Sequence, residues 1–389
     1  MKLVLLNPLE ITLLIASVLG VVPYSFNAAL YNKYNRCTLM LKKITYLTFA
    51  ATICLLNFSS SSCNVNYKYL STAISNILNC LYCTSICLVS YIVPFIYENQ
   101  YKMIVVKINQ FDHAMNKYGS INNEVNPMEI LIYTLNLIFL VTTIFFYVKH
   151  YIHEEINHFF CLIFYNLSII ISIVVKLLII VLLLELYKRF KLLNSFLKSL
   201  IGLTPYPKGK HFDNHDTDIS KKIEELSNLH YSLCTVGRQI NHTFAPHIAV
   251  KFSGSFCLVV VFLFYLTADD QTFNDRFPTS SQFYLTSFWI FFIFYEAFAL
   301  ILGFRLVTVE AKRTANIIHS TKSISRIHEN LVRIIRFSQQ LYFTEPFFNV
   351  FQMLSIDWSI MFSIMVSAMM YAIFLMQLTS NNNYILLVS

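Results

Sequence analysis

Three observations predict an all-α integral membrane protein with seven transmembrane helices. Apolar residues make up 56% of the chain and charged residues only 13%, where a soluble domain carries about 25% charged residues. Glycine occurs only seven times in 389 residues, which leaves a membrane β-barrel without its turns. Apolar runs long enough to cross a bilayer, about 20 residues each, recur along the whole chain.

The seven runs fall near residues 40–60, 73–97, 130–148, 159–186, 248–268, 284–304 and 355–379. An eighth, Ile11 to Val22, is too short to span and stops at Pro23. Glu10 precedes it and no convincing cleavage site follows, so it reads as an interfacial or buried cytosolic helix rather than a signal peptide. The fourth run continues into an amphipathic stripe of Leu186, Phe190, Leu193, Leu197 and Leu200, with Lys188, Arg189, Lys191, Asn194 and Lys198 on the other face. Residues 202–218, with Gly202, Pro205, Pro207 and Gly209, read as a linker. A second stripe, Ile219, Ile223, Leu226, Leu233 and Ile240, leads into the fifth run. A third, Ile324, Ile327, Leu331, Ile334 and Leu341, precedes the seventh. Such stripes need partners, either each other within one chain or a second subunit.

Charge sets the orientation. The side holding the N-terminus and the 98–129, 187–247 and 305–354 segments carries 24 of the 29 Lys and Arg residues. The other side carries three: Lys68, Lys149 and Arg276. Basic residues mark the cytoplasmic face, so the N-terminus is expected inside and the C-terminus outside. The net charge of +8 belongs to this bias, not to a nucleic-acid surface. A G-protein-coupled receptor has the reverse orientation. The third span here ends in Phe146-Tyr147-Val148-Lys149-His150-Tyr151, without an acidic-Arg-aromatic triplet, and the seventh lacks Asn-Pro-x-x-Tyr.

Catalytic and metal chemistry find no footing. No phosphate-cradling loop or nucleophile triad is present, and no cofactor is expected. His153 and His158 are five apart, so they do not share a helical face as a zinc-protease pair would. Cys80, Cys83 and Cys87 share a transmembrane face and read as packing, whereas Cys63 and Cys161 lie near the oxidising side and are candidates for a bridge. Asn57-Phe58-Ser59 is a weak glycosylation sequon near the outer edge. Two ionisable residues within spans stand out, because such residues mark function by default. Glu296 lies mid-span beside Trp289, Phe292 and Tyr295, either facing a wet pocket or forming a structural pair. Lys176, in the fourth span, reads as a structural pair or a snorkelling chain. Aromatic and amide residues recur in the outer halves of spans, including Asn79, Tyr82, Tyr165, Asn166 and Trp289. They suit a pocket for small organic ligands or an aromatic belt.

The last span ends in Met370-Tyr371-Ala372-Ile373-Phe374-Leu375-Met376-Gln377-Leu378. An amide is expensive in lipid, so Gln377 reads as a pore lining or as glue to a neighbouring helix. This layout resembles the C-terminal signature of the insect gustatory receptor family, Thr-Tyr, five hydrophobics, then Gln-Phe. Phe337-Ser338-Gln339-Gln340-Leu341, Phe347-Phe348-x-x-Phe351 and Ile356-Asp357 resemble the family's approach to that helix, and Leu19-Gly20-Val21-Val22-Pro23 its early Gly-x-x-Pro element. Met370 and Leu378 depart from the usual Thr and Phe, which points toward the divergent branch containing bitter receptors.

The resemblance implies a tetrameric, ligand-gated, non-selective cation channel, and no enzyme. Tyr371, Phe374, Gln377 and Leu378 would form the pore and gate; Asn79, Tyr82, Tyr165, Asn166, Trp289 and Glu296 would line the ligand pocket. The implied parts are a cytoplasmic segment 1–39 and a six-helix ligand-binding domain 40–304 with its cytoplasmic extension 187–247. A cytoplasmic anchor 305–354 and a pore helix with a short extracellular tail, 355–389, follow. The implied partners are a small-molecule tastant, monovalent and calcium cations as permeants, membrane lipid, and other copies in a homotetramer or a heteromer with related receptors. The implied place is the plasma membrane of sensory neuron dendrites. The alternatives are an all-helical transporter, although almost no Gly or Pro interrupts the spans as discontinuous carrier helices would require, and a seven-transmembrane receptor signalling through G proteins, which the orientation opposes.

Overall fold

The computed structural model describes residues 8–19, 21, 45, 48, 51, 52, 55, 70–117, 127–151, 156–200, 216–267, 279–319, 328–344 and 348–388. At several helix ends it describes the backbone alone, and the side chains of Asn79, Tyr165, Asn166 and Leu378 fall there. Most of the first predicted span, the 202–215 linker and Cys63 lie outside the described residues, as does the Cys161 side chain.

The described chain is almost entirely helical: α1 (Pro8–Val18), α2 (Leu70–Ile96), α3 (Glu98–Met115), α4 (Pro127–Tyr151), α5 (Ile156–Leu200), α6 (Asp216–Thr267), α7 (Thr279–His319), α8 (His328–Phe343) and α9 (Trp358–Val388). A hairpin of two-residue strands, β1 (Asn349–Val350) with β2 (Leu354–Ser355), joins α8 to α9. Among the described residues, three helical stretches are long and apolar enough to cross a membrane: Leu167–Leu200, Lys221–Leu263 and Thr286–His319. Cys80–Ile96 and Glu98–Met115 make a fourth stretch bent by 68°.

α6 is the hub, packing against α2, α3, α5, α7, α8, α9 and β1. It runs unbroken from the second amphipathic stripe through Pro246 into the fifth apolar run. α5 likewise carries the fourth run straight into its stripe. The stripes meet within the chain: Leu186, Phe190, Leu193, Leu197, Ile223, Leu226, Leu233, Ile240 and Leu341 are all buried in one core. Polar ties run between the same helices. Arg189 on α5 forks onto Asp112 of α3 at 2.9 and 2.6 Å. Asn194 donates to the Glu310 side chain at 2.9 Å and accepts from Thr314 at 2.7 Å, joining α5 to α7. Ser227 donates to Gln340 at 2.6 Å, joining α6 to α8. Such fully partnered groups hold register where they are buried.

Two elements differ from the sequence expectation. The 98–129 segment opens with a helix, α3, which turns Tyr101, Ile104, Ile108, Phe111 and Met115 inward. The approach to α9 is a hairpin whose turn residues Phe351 and Gln352 have φ of 51° and 61°. Three residues, Phe351 to Met353, separate the paired Val350 and Leu354, and the left-handed φ of the first two comes without the glycine or asparagine that would announce it. The short apolar helix α1 is buried on one face through Thr12, Leu13 and Ala16 and packs on α5. The Tyr91 hydroxyl donates to the Leu19 carbonyl at its end, at 3.1 Å.

Candidate functional site

Five helices converge on a charged layer within the bundle. Glu296 of α7 lies between Lys176 of α5 and Lys251 of α6, and all three side chains are under 10% exposed. Lys176 Nζ donates to Glu296 Oε1 at 3.1 Å and to Asn136 Oδ1 of α4 at 2.6 Å. Lys251 ion-pairs with Glu296 Oε2 and donates to the Tyr82 hydroxyl of α2 at 3.1 Å and to Ser172 Oγ of α5 at 3.0 Å. Asn136 Nδ2 donates in turn to the Tyr295 hydroxyl at 2.9 Å. Stripping water from each ion is costly, and a buried pair survives only when its remaining donors and acceptors are filled. This layer meets that condition through residues from every helix around it.

An aromatic cluster sits against the charged layer. Phe139 of α4 packs on Phe292 and Tyr295 with ring centroids 4.9 and 5.1 Å away, and on Phe288 at 5.4 Å. Trp289 meets Phe292 edge-on at 5.8 Å and lies near-parallel to Phe262 of α6 at 6.4 Å. The positions follow from helical spacing: Trp289, Phe292 and Glu296 recur at three and four residues on one face of α7. Lys176 Nζ lies 5.6 Å from the Phe292 ring centre and 5.2 Å from that of Tyr295. Trp289 and Tyr295 are only half-buried, so the cluster is partly open.

Of the predicted pocket residues, the structure brings Tyr82, Trp289 and Glu296 into this one assembly. The side chains of Asn79, Tyr165 and Asn166 lie outside the description. Of the two alternatives for Glu296 the geometry is that of a pair: each of its oxygens faces a lysine. Sequence reasoning passed over Lys251, Asn136, Ser172 and Phe139. The available signal was charge complementarity: two lysines and one glutamate inside apolar runs invite a match.

The second predicted set lies on α9. Its inner face, through Ala368, packs on Leu258, Val259 and Val260 of α6 and Ile293 of α7. Its outer face is bare among the described residues: Val366 is 63% exposed and Met370 65%. Gln377 is nine residues from Ala368, hence about 180° around the helix, and it is exposed. Phe374 is exposed as well, while Tyr371 is exposed yet meets the Phe256 ring edge-on at 5.5 Å.

The sequence matches the 7tm chemosensory receptor family over residues 9–382. The fold is similar to that of the insect olfactory receptor OR5 from Machilis hrabei, with a TM-score of 0.67 at 12% identity, covering 95% of this chain and 97% of that one. It is equally similar to the same receptor in complex with eugenol, at 11% identity with the same coverage and score. Among curated proteins, none matches the sequence significantly.

Proposed function

Because this chain belongs to the 7tm chemosensory receptor family, a family of multipass membrane receptors and not of enzymes, we propose that it is a gustatory receptor acting as a ligand-gated, non-selective cation channel. A small organic tastant, a bitter plant compound in the first instance, binds the aromatic cluster above the Lys176–Glu296–Lys251 layer. Four copies surround a pore lined by α9, which passes monovalent cations and calcium, in the plasma membrane of sensory dendrites. A heteromer with related receptors would keep the same pore. The N-terminus and the 187–247 and 305–354 segments face the cytoplasm, as the basic-residue asymmetry supports.

The observation that carries this reading is the outer face of α9. A row of exposed apolar residues leads to one exposed amide, which suits an apolar neck beside a polar ring better than contact with lipid. Tyr371 and Gln377 hold the positions of the gustatory signature. The eugenol complex of the structurally similar olfactory receptor favours a small aromatic ligand for the cluster. Coupling has a short route. α6 places Lys251 in the charged layer and, about one turn on, sets Phe256 against Tyr371 of α9. A ligand that shifts α6 would therefore lean on the pore helix.

Whole-cell recording from cells expressing this chain alone, with a panel of plant alkaloids, glycosides and sugars and no added G-protein components, tests the proposal. Current on ligand application supports it. Substrate uptake without channel current would instead indicate a carrier. For orientation, a tag after Ser389 should be labelled on intact cells and an N-terminal tag should not.

A further inference from the structure

We propose that Lys176 is the polar anchor of the ligand, and that the charged layer makes this receptor select aromatic compounds carrying an anionic or strongly hydrogen-bond-accepting group over those carrying an ammonium. The inference rests on reading the aromatic cluster as the ligand site. An ammonium has three protons to place. Those of Lys251 all have oxygen partners: Glu296 Oε2, the Tyr82 hydroxyl and Ser172 Oγ. Lys176 has two such partners, Asn136 Oδ1 and Glu296 Oε1. Its remaining side meets the faces of Phe292 and Tyr295, 5.6 and 5.2 Å away, within the aromatic cluster.

The charges do not balance. Two lysines share one carboxylate, a net positive charge among the described residues of this layer. Glu185, the acid buried on α5, is already engaged by Lys188 and Arg189 at 3.1 and 2.7 Å. Ring faces attract a cation weakly compared with an anion at the same site. A ligand oxygen entering beside Phe292 and Tyr295 would accept the third Lys176 proton, and a carboxylate or phenolate would also supply the missing negative charge. A ligand ammonium would meet a like charge there, with both Glu296 oxygens already occupied.

The test measures binding to the purified full-length receptor with three probes of one ring size: benzoate, benzyl alcohol and benzylamine at neutral pH. Benzoate should bind about tenfold or more tighter than benzylamine, with the alcohol between, as expected for a like-charge penalty at a desolvated site. Lys176→Met leaves the Glu296–Lys251 pair intact and should bring the ratio near one in protein that still melts cooperatively. Lys176→Gln, which keeps a donor but not the charge, should retain the alcohol and lose the preference for benzoate. Trp289→Ala should weaken all three probes alike. If Trp289→Ala does so but benzylamine binds as well as benzoate, or Lys176→Met leaves the ratio unchanged, the anchor is refuted and the ligand site stands. If no probe binds, or Trp289→Ala leaves all three unaffected, the cluster is not the ligand site and both readings fall.

Discussion

α5 and α9 are both long apolar helices, yet they meet opposite surroundings. From Ile171 to Leu186, α5 is buried at nearly every position, including Ser172, Lys176 and Glu185. α9 hides only a narrow face centred on Ala368 and Ala372 and leaves Phe362, Val366, Met370, Ile373 and Phe374 bare. Apolarity says that a side chain avoids water, not what covers it. α5 is covered by its own chain, so its polar residues must find partners inside, and they do. Among the described residues nothing covers the outer face of α9, which leaves it open to lipid or further copies. A polar residue such as Gln377 in that row then points to a wet lining. Stability should therefore concentrate around α5, α6 and α7, and conduction around α9.

The largest expected effect is at the charged layer. Glu296→Gln leaves two buried lysines without their counter-charge, and breaking such a pair costs about 3–5 kcal/mol. Loss of folded receptor in detergent, by thermal melting and by surface labelling, checks this. Adding Lys176→Met to that variant should recover part of the loss, because one fewer cation is stranded.

Next comes pH. His230 on α6 is buried between the rings of Phe190 and Phe337. Burial pushes its imidazole down from 6.5 to about 4. It is neutral in the folded chain, so the unfolded chain binds the proton more readily between those values. Stability is full above pH 6.5 and is lost as pH falls toward 4, by about 3 kcal/mol when complete. Melting curves of His230→Leu should be flatter than wild type across that window.

Gly254 on α6 tests close approach between helices. A Cβ there would fall 2.0 Å from the Tyr82 ring. Gly254→Ala must displace that ring and weaken its hydroxyl's contact with Lys251, at a cost of about 1–3 kcal/mol. Met370→Ala, on the bare face of α9, should change the melting of the isolated chain by less than about 0.5 kcal/mol. The same substitution in the assembled channel should alter current, which sharpens the contrast between the two helices.

Much of this contrast was legible in the sequence. Apolar runs gave the helical membrane class, and the stripe from Leu186 to Leu200 gave the continuation of α5, because periodicity and hydropathy are local properties. α3 was lost because Tyr101, Ile104, Ile108, Phe111 and Met115 are spaced among polar residues in a segment read only for its charge. The hairpin was lost because Phe351 and Gln352 adopt a turn conformation that their side chains do not advertise. Glu296 and Lys176 were each noticed, but Lys251 was not joined to them. The sequence separation of those three says nothing about which helix faces lie together, and only the packing of α5, α6 and α7 places them in one layer.

The outer face of α9 should line the conduction path. Single cysteines at Gln377 and at Ala368, in channels opened by agonist and exposed to a charged thiol reagent from outside, measure this. Reagent should block or strongly reduce current at Gln377→Cys and leave Ala368→Cys untouched, because Ala368 packs against α6. Companion cysteines at Phe374 and Leu378 should report the same face at neighbouring angles. Unchanged current at Gln377, Phe374 and Leu378, with and without agonist, would show that α9 faces lipid or protein and that the pore lies elsewhere.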